Sequence, residues 1–482
     1  MSFFKAYDMR GEFGVDFTLD TVYRVGRWLP AIIRQGAEAS RPLRVLVGRD
    51  ARLTSEAVRD ALCRGLVESG CAVDDMGLVS TSMVYFFTAK EGYDASIQIT
   101  ASHNPVSHNG LKVSRAGAVP VGYDTGISEL ERLVNTGTFP EPSVASGSIN
   151  QVSYLKTYID WLRGWHVDLS GLRYVVDCSD GAAGILARDV FGEGPIYIND
   201  TPDGNFPHHS PNPLEAASRE DAARLVREHS LDVGVIFDGD ADRVMFVDET
   251  GDFVQPDYLT PVIARYFLAR EPGSKVLHDV RTSLGAIEAL KADGAQPVMS
   301  KVGHAFAKML MRETGAVCGG ELAGHYYFRD FFFCDSGELA AMLILSALAD
   351  AKRNGVSFRE LMAPIRKYAN SGECNYHVTD KAAATAAVLK AAETFGTPQA
   401  RSDIDGTRLD YADGWFCVRE SNTEAYLRLI VEAHDAALLK ERMAQLEKAL
   451  SPFQNSMGDG RARSPNAPHS TADGSASRPY HD

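Results

Sequence analysis

The sequence lacks the patterns that mark membrane, secreted and disulfide-rich proteins. Its longest apolar stretch, about residues 339–349, is too short to cross a bilayer, and residues 1–5 do not have the layout of a signal peptide. The seven cysteines are scattered, without the C-x-x-C spacing of a zinc or redox site. We therefore expect a cytoplasmic chain with reduced thiols and no membrane role.

The chain also lacks an excess of basic residues. It has 49 Lys and Arg against 64 Asp and Glu, and a net charge of −15. Nucleic-acid binding requires basic surface to replace the counterions around phosphates, so this composition argues against a nucleic-acid partner. An anionic small-molecule substrate must therefore be met by local cations.

Three common catalytic motifs are absent as well. No G-x-S-x-G nucleophile elbow occurs, which leaves an ordinary serine hydrolase with little support. Neither G-x-G-x-x-G nor G-x-x-x-x-G-K-[ST] is present, so a dinucleotide or P-loop site is unsupported.

What is present is a repeated strand pattern in a long chain. The 482 residues, 45% of them apolar, suffice for three or four domains with their own cores. A short apolar run, an aspartate and then small or hydroxyl residues that open a helix recur at residues 45–50, 174–177 and 276–279. Alternating strands and helices predict βαβ units and parallel sheets. Such junctions look alike in most α/β proteins, so internal duplication stays open.

Polar stretches with Gly and Pro predict the domain boundaries. We expect α/β domains at residues 1–150, 151–255 and 256–370, and a smaller unit at 371–450. From residue 451 the composition is rich in Ser, Pro, Gly, Asn and Arg and has almost no aliphatic residues. Ordering such a segment costs entropy without apolar burial to offset it, so residues 451–482 are predicted to be a disordered tail.

The first chemistry-bearing loop is Thr-Ala-Ser-His-Asn-Pro at residues 100–105, directly after an alternating apolar run. Ser102 is where we expect the chemistry. The same residue types are ordinary turn formers, so this loop is informative only together with the loops that follow it.

The second loop is Asp-Gly-Asp-Ala-Asp-Arg at residues 238–243, between two apolar runs. Carboxylates at alternate positions of an extended loop can point the same way, and such oxygen ligands suit Mg²⁺. A calcium EF-hand is disfavoured because Arg243 stands where that loop needs glycine and the flanks are typical of strands. A solvated acidic turn remains open.

Two further loops fit a sugar and a phosphate. In residues 319–325, Glu321 and His325 can exchange hydrogen bonds with sugar hydroxyls, although a structural turn is equally possible. Residues 419–424 combine a guanidinium, hydroxyls, an amide and turn N–H groups. These donors suit a non-reacting phosphate, and a simple hairpin turn is the alternative.

Together, in this order, the four loops resemble those of the α-D-phosphohexomutases. Their patterns match the family's serine loop, D-G-D-x-D-R, G-E-x-S-[GA]-H and R-x-S-N-T-E-P, and residues 7–11 match Y-D-x-R-G. The likeness covers about residues 4–450. Ala323 replaces the family's serine and Ala425 its proline. The missing hydroxyl contact is worth about 0.5–1.5 kcal/mol, which weakens recognition without abolishing chemistry.

The resemblance implies a fold of three similar α/β domains with mixed, largely parallel sheets, plus a smaller C-terminal α+β domain, around a central cleft. It also implies residue roles, which form three sets. The catalytic set is Ser102, His103, Lys112 and Arg10. The Mg²⁺ ligands are Ser102, Asp238, Asp240 and Asp242. The substrate-binding set is Tyr7, Arg243, Arg281, His304, Glu321, Ala323, His325, Arg419, Ser421, Asn422 and Thr423.

The implied activity is reversible conversion of D-mannose 6-phosphate and D-mannose 1-phosphate through phospho-Ser102. A hexose 1,6-bisphosphate would be the intermediate and also the activator. Residues 7–11, 319–337 and 411–432 look more like the mannose-phosphate branch of the family. Dual use of mannose and glucose phosphates remains open, as does a catalytically idle sugar-phosphate-binding relative. The expected partners are small-molecule hexose phosphates, with the chain a monomer or homodimer.

Overall fold

The computed structural model describes residues 3–34, 41–136, 138–139, 147–165, 167–421, 426–454 and 461–463. The chain divides into two compact units, Met1–Lys367 and Tyr368–Asp482. Among the described residues, none of the helices combines the length and the apolar character that crossing a bilayer requires.

The first sheet of the first unit is built around a buried strand, β2. The strands are β1 (Met9–Glu12), β2 (Arg44–Arg49), β3 (Ala72–Leu78), β4 (Ala95–Ile99), β5 (His108–Arg115), β6 (Val119–Pro120) and β7 (Ser148–Gln151). They lie in the order β1-β5-β4-β2-β3-β7, with β6 beside β5. Strand β2 is parallel to β3 and β4, whereas β5 is antiparallel to β4. The apolar run of β2 is buried, as expected for a parallel strand covered on both faces.

Four helices belong to this first layer: α1 (Leu19–Arg34), α2 (Ser55–Glu68), α3 (Thr81–Lys90) and α4 (Ile127–Thr136). Helices α1 and α2 approach closely through glycines. A Cβ at Gly26 would lie 2.5 Å from the carbonyl oxygen of Leu62, and one at Gly65 would lie 2.3 Å from that of Tyr23. Larger side chains would therefore force these two helices apart.

The second sheet has the order β12-β11-β10-β8-β9. Its strands are β8 (Tyr174–Asp177), β9 (Ile196–Ile198), β10 (Val233–Phe237), β11 (Val244–Val247) and β12 (Phe253–Val254). Its helices are α5 (Leu155–Arg163), α6 (Ala187–Phe191) and α7 (Glu220–His229). Strands β8, β9 and β10 are parallel, and β11 and β12 are added antiparallel.

The third sheet has the order β14-β13-β15-β16-β17. Its strands are β13 (Lys275–Asp279), β14 (Gln296–Ser300), β15 (Cys318–Gly320), β16 (Tyr326–Phe328) and β17 (Cys334–Asp335). Its helices are α8 (Thr260–Leu268), α9 (Leu284–Ala292), α10 (His304–Thr314), α11 (Gly337–Arg353) and α12 (Phe358–Met362). Strands β13, β14 and β15 are parallel, whereas β16 and β17 are antiparallel.

The three sheets share one arrangement, which confirms the predicted similarity of the three α/β domains. In each sheet a central strand (β2, β8 or β13) pairs in parallel with the next strand along the sheet (β4, β10 or β15). That strand then turns back into an antiparallel partner (β5, β11 or β16). The sheets are mixed, as predicted. One hydrophobic cluster contains Phe86, Val235 and Phe328, so the three layers share a core.

The second unit is an antiparallel sheet covered by two helices. Its strands are β18 (Ala369–Asn370), β19 (Cys374–His377), β20 (Ala400–Ser402), β21 (Thr407–Tyr411), β22 (Gly414–Glu420), β23 (Tyr426–Ala433) and β24 (Arg461–Arg463). Its helices are α13 (Lys381–Ala392) and α14 (Ala436–Leu450). Tyr376, Val418 and Leu446 belong to its core, and the predicted smaller α+β domain is confirmed.

The predicted disordered tail differs from the structure at two short places. Ser451–Phe453 forms a 3-10 turn, and Arg461–Arg463 pairs antiparallel with β19. Backbone pairing with an exposed strand edge does not need the aliphatic side chains on which the prediction of disorder depended. Residues 455–460 and 464–482 lie outside the described residues.

Candidate active site

Three loops of the first unit meet because they are the same connection in three similar sheets. Residues 100–107 join β4 to β5, residues 238–243 join β10 to β11, and residues 321–325 join β15 to β16. Each loop leaves the carboxyl end of a parallel strand, which is where open α/β sheets place their ligand sites.

Ser102 is buried, 3% exposed, and its φ of 51° lies in the left-handed region. A residue other than glycine in this region costs about 1–3 kcal/mol and persists only where its surroundings hold it. The Ser102 N–H donates to Thr100 Oγ1 at 2.7 Å. The Ser102 hydroxyl donates to Asp238 Oδ2 at 2.8 Å and lies 3.1 Å from His103 Nδ1. The strained turn thus aims the hydroxyl at the acidic loop.

The acidic loop brings Asp238, Asp240 and Asp242 together, all fully buried, with one carboxylate oxygen of each within 4.8 Å of the others. Within the part of the chain that the structure describes, the Oδ1 atoms of Asp240 and Asp242 have no hydrogen-bond partner. Buried carboxylate oxygens without partners are costly unless a cation is bound. This donor set therefore fits Mg²⁺, with Ser102 beside it.

Cations already surround these carboxylates. Lys112 Nζ, on β5, donates to Asp240 Oδ2 at 2.7 Å and to Asp242 Oδ2 at 2.5 Å. Arg243 Nε donates to Asp238 Oδ2 at 2.9 Å, and its Nη2 lies 3.4 Å from the Ser102 hydroxyl. Arg10 donates to Asp8 and to Asn104 Oδ1 in the serine loop, at 2.5 Å and 3.0 Å. The predicted cations and carboxylates thus form one cluster.

Burial and charge move the pKa values in this cluster in opposite directions. Burial raises the pKa of Asp238, outweighing Arg243. Burial also acts to raise the pKa of Asp240, but Lys112 outweighs it and the pKa falls below its ordinary value. Burial would lower the pKa of Lys112, yet Asp240 and Asp242 raise it, so the ammonium stays charged. For His103, burial and Arg243 lower the pKa well below the ordinary value, so its imidazole is neutral.

The third loop places His325 between two acids. Its Nδ1 lies 2.8 Å from Asp335 Oδ2 and 3.8 Å from Asp242 Oδ1. Burial would lower the pKa of His325, but Asp242 and Asp335 raise it. Glu321 Oε1 accepts the Gly303 N–H at 2.9 Å, and burial raises its pKa. Ala323 lies on this loop, between those two residues, without a hydroxyl to offer.

The other residues of this unit that were predicted to bind substrate lie near the third loop. The ring of His304 is 5.9 Å from that of His325 and 6.1 Å from that of Tyr7. Burial and Lys308 hold the pKa of His304 well below its ordinary value, and its Nδ1 has no hydrogen-bond partner. Arg281 Nη2 donates to Asp279 Oδ2 at 2.7 Å. The same oxygen accepts the Leu322 N–H at 3.0 Å, which connects Arg281 to the third loop (residues 321–325), the sugar loop.

Sequence reasoning missed several residues that hold the site in place. Lys308 and Asp335, both fully buried, pair at 2.6 Å behind His325. The Thr81 hydroxyl, on α3, donates to Asp240 Oδ2 at 2.5 Å. No motif marks these residues, because the partner of each is distant in the sequence. Arg52 was also missed, although the repeated strand-end aspartate two residues before it was a usable signal.

The fourth predicted loop belongs to the second unit and is described there by itself. Arg419 Nη2 donates to Asp405 Oδ2 at 3.0 Å, and its Nη1 lies 3.5 Å from Glu373 Oε1. Among the described residues, the buried Ser421 hydroxyl has no hydrogen-bond partner. Asn422 and Thr423 lie outside the described residues.

Comparison with known proteins agrees with this geometry over nearly the whole chain. Family models described as "Phosphoglucomutase/phosphomannomutase, alpha/beta/alpha domain" I, II and III match residues 1–141, 154–251 and 255–368. The model of the C-terminal domain of the same family matches residues 373–449. The chain belongs to the phosphoglucomutase/phosphomannomutase family. It is therefore an enzyme of the phosphohexomutase type, an isomerase.

Relatives within the family are similar over their full length. The chain is 38% identical over 460 residues to a phosphomannomutase of Escherichia coli, covering 92% of this chain and 98% of that protein. It is 40% identical over 456 residues to a phosphomannomutase of Salmonella typhimurium, covering 92% of this chain and 97% of that protein. A phosphoglucomutase/phosphomannomutase family protein from Burkholderia thailandensis has a similar crystal structure, with a TM-score of 0.83 and 30% identity over 93% and 97% of the two chains.

Proposed function

We propose that this phosphohexomutase is a phosphomannomutase that interconverts D-mannose 6-phosphate and D-mannose 1-phosphate through phospho-Ser102. The observation that carries the mechanism is the Ser102 hydroxyl, 2.8 Å from Asp238 Oδ2 and beside three buried carboxylates. The mannose preference is supported by the names of the relatives from Escherichia coli and Salmonella typhimurium.

The chemistry required of these residues is phosphoryl transfer. A bound Mg²⁺ would be held by Asp238, Asp240 and Asp242 with an oxygen on Ser102, and would neutralise charge on the transferring oxygens. Arg243, with Nη2 3.4 Å from the Ser102 oxygen, is placed to contact a phosphate there. Lys112 balances the charge of the acids. Alignment and charge stabilisation of this kind are the main contributions a protein makes to phosphoryl transfer.

In the first step the bond between Ser102 Oγ and phosphorus breaks as a sugar hydroxyl oxygen bonds to phosphorus. The sugar hydroxyl gives up its proton and Ser102 Oγ takes one up, so the step is balanced without a net change in protons. The candidates for this proton transfer are Lys112, Arg281, His304 and His325. Among the described residues, His304 Nδ1 has no hydrogen-bond partner. The product is a hexose 1,6-bisphosphate, which also activates unphosphorylated enzyme. After the sugar turns around, Ser102 takes the other phosphate and leaves the isomeric monophosphate.

Substrate recognition in this proposal divides between two loops. Glu321 and His325 bind sugar hydroxyls, with Tyr7, Arg281 and His304 nearby. Arg419 and Ser421, with Asn422 and Thr423, bind the phosphate that does not react. Because Ala323 lacks a hydroxyl, one sugar contact of the family is missing, at a cost of about tenfold in affinity.

Dual use of mannose and glucose phosphates is the second candidate. The two sugars differ only in the orientation of the 2-hydroxyl, and a site that does not bind this group discriminates weakly. A catalytically idle sugar-phosphate-binding relative is disfavoured by the intact cluster of Ser102, the three aspartates and Lys112. The seven cysteines, all of them described by the structure, are buried and form no disulfide, which suits the reducing cytoplasm in which we place the reaction.

The test combines intact mass with turnover. Intact mass spectrometry of the fresh protein detects any bound phosphate. The protein is then given competing mannose and glucose 1-phosphates with Mg²⁺ and a trace of hexose 1,6-bisphosphate. We expect phosphate on Ser102, faster conversion of the mannose substrate, and a loss of roughly 10³-fold or more in Ser102→Ala. Ser107→Ala is the matched control, because Ser107 is exposed on the same loop.

Three outcomes would contradict the proposal in different ways. Full turnover in Ser102→Ala would remove the phosphoserine mechanism. Equal kcat/KM for both sugars would establish the dual enzyme instead. Sugar-phosphate binding by the wild-type protein without any turnover would establish the idle relative.

A further inference from the structure

The repeated strand pattern of the sequence has a structural counterpart at the end of each central strand. Asp50, Asp177 and Asp279 end β2, β8 and β13 or directly follow them. In each case a carboxylate oxygen accepts the backbone N–H two residues later. These bonds are Arg52 N to Asp50 at 3.0 Å, Ser179 N to Asp177 at 2.9 Å and Arg281 N to Asp279 at 2.7 Å. One turn is therefore repeated in the three similar sheets.

Each of these turns is tied to the functional loop of the neighbouring strand. Ser179 Oγ donates at 2.6 Å to the carbonyl of Phe237, the residue before the acidic loop. Asp279 accepts the N–H of Leu322 in the sugar loop at 3.0 Å. In the first sheet the guanidinium of Arg52 makes this connection. It uses more hydrogen bonds than the connections described in the other two sheets.

Arg52 donates to four backbone carbonyls, three in the serine loop and one at the start of β5. Its Nη2 reaches Ser102 O at 2.8 Å and Asn104 O at 2.6 Å, and its Nη1 reaches Pro105 O at 2.7 Å and His108 O at 3.0 Å. The side chain has no exposed surface. A planar guanidinium is the side chain that can satisfy several acceptors in a fixed fork.

The guanidinium is itself fixed from two sides. Its Nε lies 3.3 Å from Asp50 Oδ2, and its carbon lies 5.2 Å from the centre of the Phe206 ring. The backbone beside it is packed against Gly204, where a Cβ would lie 2.3 Å from the carbonyl oxygen of Ala51. Arg52 therefore has little freedom to move away from the loop.

We propose that Arg52 is a positioning residue for phosphoryl transfer. It holds the Ser102 carbonyl so that the residue keeps its left-handed conformation and the hydroxyl points at the acidic loop. This inference rests on the proposed function of Ser102. A lysine at this position would keep the charge, but its single nitrogen carries three donors and lacks the planar fork that reaches four carbonyls.

The test uses the full-length protein with Arg52→Lys and Arg52→Ala, and Arg115→Lys and Arg115→Ala as matched controls. Arg115 also donates to two backbone carbonyls, those of Ile32 and Thr125, but at the end of β5 remote from the serine loop. Circular dichroism and intact mass first confirm folding and Ser102 phosphorylation. The kcat and KM for the hexose 1-phosphate are then measured with Mg²⁺ and hexose 1,6-bisphosphate.

We expect Arg52→Lys to lower kcat roughly 100-fold with little change in KM, because small misplacements of a reacting group are costly. Added guanidinium ion, below denaturing concentrations, should restore part of the kcat of Arg52→Ala. It should not raise the kcat of Arg115→Ala. Hydrogen exchange should accelerate at amides 101–108 of Arg52→Lys but not at 238–243. Arg115→Lys should keep kcat within about twofold.

The inference is overturned if folded Arg52→Lys keeps the wild-type kcat, or if its kcat falls by the same factor as that of Arg115→Lys. It is also overturned if exchange at residues 101–108 is unchanged. A wild-type protein without phosphate on Ser102 and without turnover would instead refute the proposed function, while the exchange experiment still decides whether Arg52 holds the loop.

Discussion

At the scale of single residues, the site depends on charges that are distant in sequence and paired inside the protein. Lys112 and Asp240 are 128 positions apart and share a hydrogen bond. The sequence predicted Asp240 from the acidic loop and Lys112 from the resemblance to the family. Lys308 and Asp335 could not be predicted in the same way, because an isolated lysine or aspartate carries no information about its partner until the chain folds.

Lys308→Met should strongly destabilise the first unit. The ammonium is fully buried, pairs with Asp335 at 2.6 Å and lies 3.5 Å from the centre of the Tyr85 ring. Removing the lysine leaves Asp335 Oδ1 buried without its cation, with only His325 still beside the other oxygen of the carboxylate. Breaking a buried pair in this way costs about 3–5 kcal/mol. Urea unfolding followed by fluorescence measures the change in free energy.

The matched control is Lys156→Met, since Lys156 and Asp160 pair on the surface with 87% and 53% of their side chains exposed. That change should stay within about 1 kcal/mol. If both variants unfold at the same urea concentration, the buried pair does not stabilise the protein as described. Adding Asp335→Leu to Lys308→Met should recover part of the loss, because the buried carboxylate is then removed together with its lysine.

At the scale of elements, the sequence predicted three similar strands but not their place in the sheets or how the sheets are completed. The runs at 45–50, 174–177 and 276–279 correspond to β2, β8 and β13, since buried parallel strands carry near-continuous apolar residues. The antiparallel strands β5, β11 and β16 follow the functional loops directly, and their pairing depends on hydrogen bonds that periodicity does not reveal. The equivalence of the three loops therefore emerged only from the sheet order.

The loop after β9 gives a pH dependence that belongs to this scale. His209 Nε2 lies 3.0 Å from Asp177 Oδ2, with the side chain 6% exposed. Burial lowers the pKa of His209, but Asp177 outweighs it and raises the pKa to about 9. A histidine with a raised folded pKa stabilises the fold fully below its unfolded pKa of about 6.5. This stability is lost as the pH rises through about 9.

We therefore expect the free energy of unfolding to fall by about 3 kcal/mol at most between pH 6.5 and pH 9.5. His209→Gln should lose this dependence, as shown by urea unfolding at several pH values. His208→Gln is the control, since His208 contacts Asp180 from an exposed position. An unchanged pH dependence in His209→Gln would show that the ion pair is not its source.

At the scale of the whole molecule, composition predicted the class of protein and the motifs predicted its family. The four functional loops were found because each keeps its chemistry within six or seven consecutive residues. The boundary expected after residue 370 lies three residues from the division between the two units after residue 367. The pairing of Arg461–Arg463 with β19 was missed, because it depends on contacts between distant segments rather than on local composition.

The burial of all seven cysteines predicts a chemically silent set of thiols. Burial raises the pKa of Cys63 and of Cys71 to about 12, so the reactive thiolate is scarce at neutral pH. We expect a disulfide reagent such as Ellman's to label none of the seven within minutes in the native protein and all of them in denaturant. Fast labelling of even one thiol under native conditions would contradict the buried positions.

The serine and the acid that accepts its hydrogen bond lie 136 positions apart and on different sheets. Neither layer contains a working centre by itself, and the distance between these two groups is set only when the first and second sheets dock. Recovery of turnover during refolding should consequently lag behind the return of helical and strand signals. Turnover therefore reports that the first and second sheets have docked.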